Sequence, residues 1–447
     1  MSWPTLPVPW ATAAVARGPR RWWAGPLDVE GLAVGSVSAA ASAANALAAT
    51  RDSSWNAFVP SGLVGASFGS ISRLRVAGEP VKGWGEMSGF FRTSDGWIRL
   101  HGNYPHHAAV IRSVLGVSNR SGAESAIQEW EGVALEETLR AAGGIAGAVR
   151  TPDVWRAHPH HAAAIQDRPL VTLGASTGAT RRLVPSTSLP LQGIRVLDLT
   201  RVIAGPTAAR FLGALGADVL HIDRPDSPEL LDQHLDTGFA KRTATVDFAG
   251  PDGQATAQEL AGTADIVLTG YRPGALRRFG LDRESLLAEH PHLVVVELSA
   301  WSDSGPWGGE RGFDSIVQAV SGIATTYADA DGRPGALPVQ ALDHATGYLM
   351  AAAALRLLNR RPHEGGASAQ LALARTAEWL LHHNGSATDA EQTFDGPDCP
   401  LWLATAESSY GAIEYVRPPL FVGDVPLDFP SPPRRYGQDP PEWWLTD

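Results

Sequence analysis

The chain has 447 residues, enough to bury large cores and to form more than one domain. Its formal net charge of -11, with Lys82 and Lys241 as the only lysines, disfavours non-specific binding to nucleic acid or to an anionic membrane, since both need concentrated basic side chains. One cysteine, Cys399, excludes an intrachain disulfide and a cysteine-rich metal site; residues 1–23 break their apolar runs with Pro and Arg, unlike a secretory leader, so a cytoplasmic protein is expected.

In chain order, residues 25–51 read as an Ala-rich helical segment within an N-terminal region, 1–80. The segment matches residues 335–361, 310 positions on, with Gly, Leu, several Ala and Arg coinciding and with Ala33 facing Asp343; two unrelated apolar helices would look similar. Residues 81–165 read as a small α+β domain: a strand over 96–100, then helices over 107–115 and 134–142, the second capped by Gly143-Gly144. His158, His160 and His161 surround Pro159 and have no acidic pattern beside them, so solvated surface histidines are expected there, and no metal site. Residues 166–189 are rich in Ser, Thr, Pro and Gly and read as a linker.

Residues 193–225, GIRVLDLTRVIAGPTAARFLGALGADVLHIDRP, read as strand, Gly205-Pro206 turn, helix from 208 and strand, a compact βαβ unit. A dinucleotide site would place Gly-x-Gly-x-x-Gly at this turn; bulky Val202 and Ile203 stand there instead, so no NAD is expected and a flat or apolar group suits the turn better. Arg224 ends the second strand. Further strands over 244–248, 266–269 and 293–298, with helices over 252–261 and 283–289, give an α/β block at 190–383 with a doubly wound parallel sheet, Rossmann-like, whose C-terminal strand ends share one edge. Tyr271, Arg278 and Phe279 follow the 266–269 strand; they read either as a solvated arginine face or as two rings that sandwich a purine beside a phosphate-binding guanidinium.

Gly305 to Gly309, with Trp307, reads as a turn with an aromatic plug or as a cover over substrate, ahead of a helix at 315–320. Asp343 precedes an apolar helix at 348–358 and has two compatible readings: an N-cap, or an ionised carboxylate able to attack an acyl group. No Walker loop is present. Residues 384–447 read as a Pro-rich C-terminal extension, opening on a Ser/Thr/Pro/Gly-rich stretch at 384–400.

The 193–225 unit, KRTATVDFAGPDG from Lys241, ADIVLTGYRPGALRRFGLD from Ala264, GFDSIVQAVSG from Gly312 and PVQALDHATG from Pro338 together resemble the class III coenzyme A transferases of CaiB/BaiF type, a family that includes formyl-CoA transferases, carnitine CoA-transferases and α-methylacyl-CoA racemases. The resemblance implies transfer of coenzyme A between an acyl-CoA and a carboxylic acid through a covalent aspartyl intermediate at Asp343. It places Arg201, Val202 and Ala204 on the coenzyme-contacting turn, Arg224 near the nucleotide, and Tyr271, Arg278 and Phe279 around adenine and phosphates. Coenzyme A as substrate, no metal, and a homodimer, interlocked in the familiar members, are further implications.

The departures are specific. Phe313 stands where racemases of the family carry a proton-transferring histidine, which disfavours racemisation. Gly270 replaces a common Asn, and Ala249 a Lys found in some members; no glycine-rich lid is evident. The segment resembling the family's small domain precedes the βαβ block, so the N-terminal region reads as a degenerate partial copy. A racemase or isomerase of the same fold, and a non-catalytic acyl-CoA-binding protein, are the alternatives.

Overall fold

The structure, a computed structural model, describes residues 3–444 except 11–14, 19, 21, 187 and 385–398. Its largest sheet runs in the order Arg242–Thr245, Asp218–Asp223, Arg195–Leu199, Ile266–Thr269, Val294–Ser299, Ala367–Ala372, Val171–Leu173. The first six strands are mutually parallel and the last is antiparallel. Helices cover this sheet, and Val196, Leu197, Val267, Val294 and Val295 are fully buried. Burial on both faces is why these strands read as continuous apolar runs rather than as alternating patterns.

From Arg195–Leu199 the chain moves outward by two strands, then returns to add Ile266–Thr269 on the opposite side. Strand order therefore reverses between these two central strands, and their C-terminal ends part to leave a crevice between residues 200–203 and 270–276. The helix Ala204–Ala214 begins at this crevice. It starts four residues before the expected position and contains Gly205-Pro206 in its first turn, where the missing proline N–H would have had no helical partner.

Two long helices dominate the core. Val29–Thr50 and Ala341–Glu364 pack along one another, with Ala33, Ala40, Ala44, Ala345, Ala352 and Ala353 all buried in one apolar cluster. By composition Val29–Thr50 is long and apolar enough to cross a membrane, but 72% of its apolar window is buried inside the protein. It is a core helix whose apolar surface is already covered.

A separate antiparallel sheet, Gly89–Arg92, Trp97–Leu100 and Ala146–Ala148, carries the helices Pro105–Leu115, Arg120–Ile127 and Gly132–Ala141 over its own core of Met87, Phe91, Ile98, Ile111, Leu135 and Leu139. Gly147 lets this sheet approach the helix Asp314–Ser321; a Cβ there would lie 2.9 Å from Val320 and 3.0 Å from Ile316.

The 166–189 stretch does more than link: Val171–Leu173 closes one edge of the large sheet, ordered by that sheet rather than by any local pattern. At the opposite edge the tail covers Arg242–Thr245, where Asp439 N donates to Thr243 O at 2.9 Å. A hairpin, Leu403–Ser408 and Gly411–Val416, pairs with Arg75–Val76 from the N-terminal region. Of the expected Ser/Thr/Pro/Gly-rich stretch at 384–400, residues 385–398 lie outside the described residues.

Candidate active site

A cavity of about 600 Å³ opens at the crevice where strand order reverses, and Arg201, Val202, Ala204, Arg224, Tyr271, Arg278, Phe279 and Asp343 all line it. The sequence separates these residues by as much as the span from 201 to 343. Parallel strands bring them together because each βα turn opens on the same edge of the sheet.

The 200–204 turn is held under strain. Val202 has φ +68, a left-handed conformation that a β-branched residue adopts only when its surroundings compel it. Its N–H donates to Glu229 Oε2 at 2.7 Å, and Thr200 donates through N to Asp198 Oδ1 at 3.0 Å. Asp198 is buried beneath the turn, held by Lys241 Nζ at 3.0 Å and His221 at 3.3 Å. The lysine and the histidine keep its carboxyl below the ordinary carboxylate range despite burial. His221 in turn bonds Asp223 at 2.9 Å, and the two carboxylates raise the imidazole to about 10, so it is a buried cation at neutral pH.

Arg201 is largely committed within the protein. Its guanidinium donates to Ser227 Oγ and Pro228 O, each at 2.7 Å, lies 3.6 Å from Asp223 and stacks on the Tyr104 ring. It braces the turn as well as facing the cavity. Arg224 forms a bidentate pair with Asp226. Arg278 lies 4.5 Å over the Phe279 ring and, like Arg272, has no ion pair or side-chain hydrogen bond among the described residues. Phe279 itself is a core residue, packed near Phe248, and shows the cavity only part of its ring.

Asp343 is not the helix N-cap, as one of its two readings held. Gln340 occupies that position, and the helix Ala341–Glu364 places Asp343 in its first turn. Apolar and small residues continue the helical pattern upstream of 348, so the helix begins before the expected point. Asp343 N donates to Asp314 Oδ2 at 2.9 Å, while the other Asp314 oxygen accepts from Gln318. Gln318 Oε1 accepts from Leu337 N at 2.9 Å, so Asp314 and Gln318 together clamp both ends of residues 337–343. Burial and the neighbouring Asp314 hold the Asp343 carboxyl well above its usual range, and burial raises Asp314 to about 6. Gly347 sits against Ala204 O, so the absence of a side chain lets this helix meet the 200–204 turn. His344, next in sequence, is driven to about 3 by burial, so it is a neutral imidazole and a weak base.

Sequence reasoning did not single out Tyr104, His106, His107, Arg272 and Arg311 as site residues, yet they line the same cavity. Tyr104, His106 and His107 come from the small antiparallel unit, and no local pattern marks side chains that only tertiary packing delivers. Phe313 also lines the cavity and stacks on His101 at 3.8 Å, with His107 at 6.0 Å. Burial lowers His101 and His107 to about 3.

One further expectation is corrected. His160 and His161 are buried rather than solvated. The turn 305–309 folds back over them, with His160 bonding Trp301 O at 2.8 Å and Trp307 N at 3.1 Å, and His161 reaches Glu378 at 3.0 Å. Trp307 is a plug, packed among Trp155, Trp301 and His160 beneath the Arg140 guanidinium. No group of three or more His, Cys, Asp or Glu side chains suited to a metal ion occurs among the described residues.

The sequence profile of CoA-transferase family III matches residues 191–398. The Mycobacterium tuberculosis protein named "Probable fatty acyl-CoA transferase Rv3272" is 32% identical over 228 residues, 46% of this chain and 58% of that protein. The succinate–glutarate CoA-transferase of Agrobacterium fabrum is 32% identical over 182 residues, 37% of this chain and 46% of the relative. A crystal structure of Rv3272 is 34% identical, with TM-score 0.42, over 44% of this chain and 56% of that one. The chain spans about half the length of the curated relatives it matches.

Proposed function

We propose that the protein, whose residues 191–398 match the sequence profile of CoA-transferase family III, moves coenzyme A between an acyl-CoA and a carboxylic acid, with Asp343 as nucleophile. The observation that carries this reading is the convergence of Asp343, the strained 200–204 turn and the Arg224, Arg272 and Arg278 guanidiniums on one cavity. The central strands order as in Rossmann-like, doubly wound sheets, which bind ligands at such a reversal point. The guanidiniums suit the coenzyme's phosphates, Tyr271 offers an aromatic face to its base, and Phe313, Ala300 and Leu373 suit an acyl chain.

In this reading the Asp343 carboxylate attacks the thioester carbonyl and expels the thiolate of coenzyme A, leaving a mixed anhydride. The thiolate then attacks the aspartyl carbonyl, releasing the first carboxylate and forming an aspartyl thioester. An incoming carboxylate attacks that thioester and expels the thiolate again. The thiolate finally attacks the acyl carbonyl of the second anhydride, which yields the new acyl-CoA and regenerates Asp343. A carboxyl with a raised pKa is a more basic nucleophile once ionised; burial and then the neighbouring Asp314 raise it here.

The test is exchange of labelled coenzyme A across a panel of acyl-CoAs and carboxylic acids. Exchange by the native protein, lost in Asp343→Asn with coenzyme A still bound, supports transfer. Binding without exchange across the panel favours the non-catalytic reading. Solvent deuterium entering the α-carbon of a branched acyl-CoA points instead to a racemase, for which His106 and His107 are the imidazoles the cavity offers beside Phe313.

A further inference from the structure

The internal match between residues 25–51 and 335–361 extends further in three dimensions than in sequence. At the same offset, the strand Ala57–Pro60 falls on the strand Ala367–Ala372, and the helix Ser61–Phe68 overlaps the helix Leu373–Leu381. Helix, strand, helix therefore occurs twice, in the same order and spacing. The two copies are in contact, because their long helices, Val29–Thr50 and Ala341–Glu364, are packing partners.

Strand pairing shows a second correspondence that does not depend on the first. Ala367–Ala372 has a parallel neighbour, Val294–Ser299, and an antiparallel one, Val171–Leu173. Ala57–Pro60 likewise has a parallel neighbour, Ala16–Arg17, and an antiparallel one, Phe421–Val422. Each antiparallel strand comes from the other half of the chain: residue 171 lies before the second copy, and residue 421 follows it. The two strands also share a frame, Arg168-Pro169-Leu170-Val171-Thr172-Leu173-Gly174 against Arg417-Pro418-Pro419-Leu420-Phe421-Val422-Gly423. Both begin with Arg-Pro, run through mostly apolar residues, with Thr172 the exception, and end on Gly.

We infer that the first half of this chain serves as a built-in second subunit: two copies of one unit exchange edge strands within a single polypeptide and complete one active site in cis. Reciprocal strand exchange between like units is the geometry of an interlocked pair with approximate two-fold symmetry. Here the pair is covalently joined. The first copy has Ala33 where the second has Asp343. One reactive carboxylate is present, not two. What the first copy supplies is support: its helix buries the back of the Asp343 helix, and the small unit that follows it delivers Tyr104, His106 and His107 to the cavity. The homodimer that the family resemblance implies is thereby unnecessary for a complete site.

The test uses the full chain in two arms. Sedimentation equilibrium from nanomolar to micromolar concentration should give 47.3 kDa, the mass of one chain. Titration with coenzyme A should give one site per chain, with affinity independent of protein concentration. A stable dimer whose dilution abolishes coenzyme binding would overturn the inference, whereas a dimer that keeps full binding on dilution supports it, since the site is then complete in each chain. In the second arm, Asp343→Asn and His107→Ala chains are co-expressed with different tags and isolated as any mixed species. Recovery of exchange activity beyond either variant alone contradicts completion in cis. The mass arm reads nothing from catalysis, so loss of the CoA-transferase reading would leave this inference independently decidable.

Discussion

Asp343 is a carboxylate kept where it is costly to ionise. Its folded pKa is raised by burial and by Asp314, so the stability this position contributes is present below the unfolded carboxyl pKa of about 4 and is lost as pH rises through the higher folded value. Asp343→Asn should therefore raise the melting temperature at neutral pH, with the gain vanishing as pH falls below about 4; calorimetry across that range checks it. The same substitution should lower kcat by at least about a thousandfold while leaving coenzyme affinity within a few-fold. Asp314→Asn separates positioning from chemistry. It keeps an oxygen for Asp343 N but removes the negative charge, so the acidic limb of the kcat/KM profile should move to lower pH. An unmoved limb with a lower kcat would reduce Asp314 to a purely structural clamp.

Among the elements, the strands of the large sheet were legible because burial on both faces writes a continuous apolar run into the sequence. The long helix at 29–50 was legible as an Ala-rich stretch with a single charged residue, Glu30. The exchanged strands were not: Val171–Leu173 and Phe421–Val422 are too short to carry a period of two and are ordered by their partners. His160 and His161 misled because a histidine cluster around a proline looks solvated until the 301–309 turn folds over it. Gly147 carries the contact between the small sheet and the helix Asp314–Ser321. Gly147→Ala should push that sheet outward, costing about 1–3 kcal/mol of stability and weakening the placement of His107, read by denaturant unfolding and by KM for acyl-CoA. Ala33→Asp should cost several kcal/mol, roughly 3–5, because it buries a carboxylate without a partner between the paired helices.

At the scale of the molecule, the site is assembled from segments that no local signal connects. The motifs at 193–225, 264–282, 312–322 and 338–347 pointed to the proposed coenzyme site and to Asp343, and they did so as a family resemblance rather than through periodicity. The walls contributed by Tyr104, His106 and His107, and the bracing contributed from behind by the tail, were invisible to both kinds of reading. Tyr436 shows what the tail adds: its hydroxyl donates to the Asp223 carboxylate at 2.6 Å and accepts from the Glu229 backbone N at 2.9 Å, joining the two residues whose carboxylates flank Arg201. Tyr436→Phe should leave Glu229 N and Asp223 each short of a partner, cost about 1–3 kcal/mol, and loosen coenzyme binding through the 200–204 turn without altering kcat at saturation. Isothermal titration and steady-state kinetics together separate those effects.

The measurement closest to the central claim is chemical capture of the intermediate. The protein is incubated with an acyl-CoA from the productive panel, quenched with hydroxylamine, digested and read by mass spectrometry. The account predicts a hydroxamate on the peptide that contains Asp343, dependent on acyl-CoA and absent from Asp343→Asn. Turnover with no adduct at Asp343, or an adduct on another carboxylate, would contradict it.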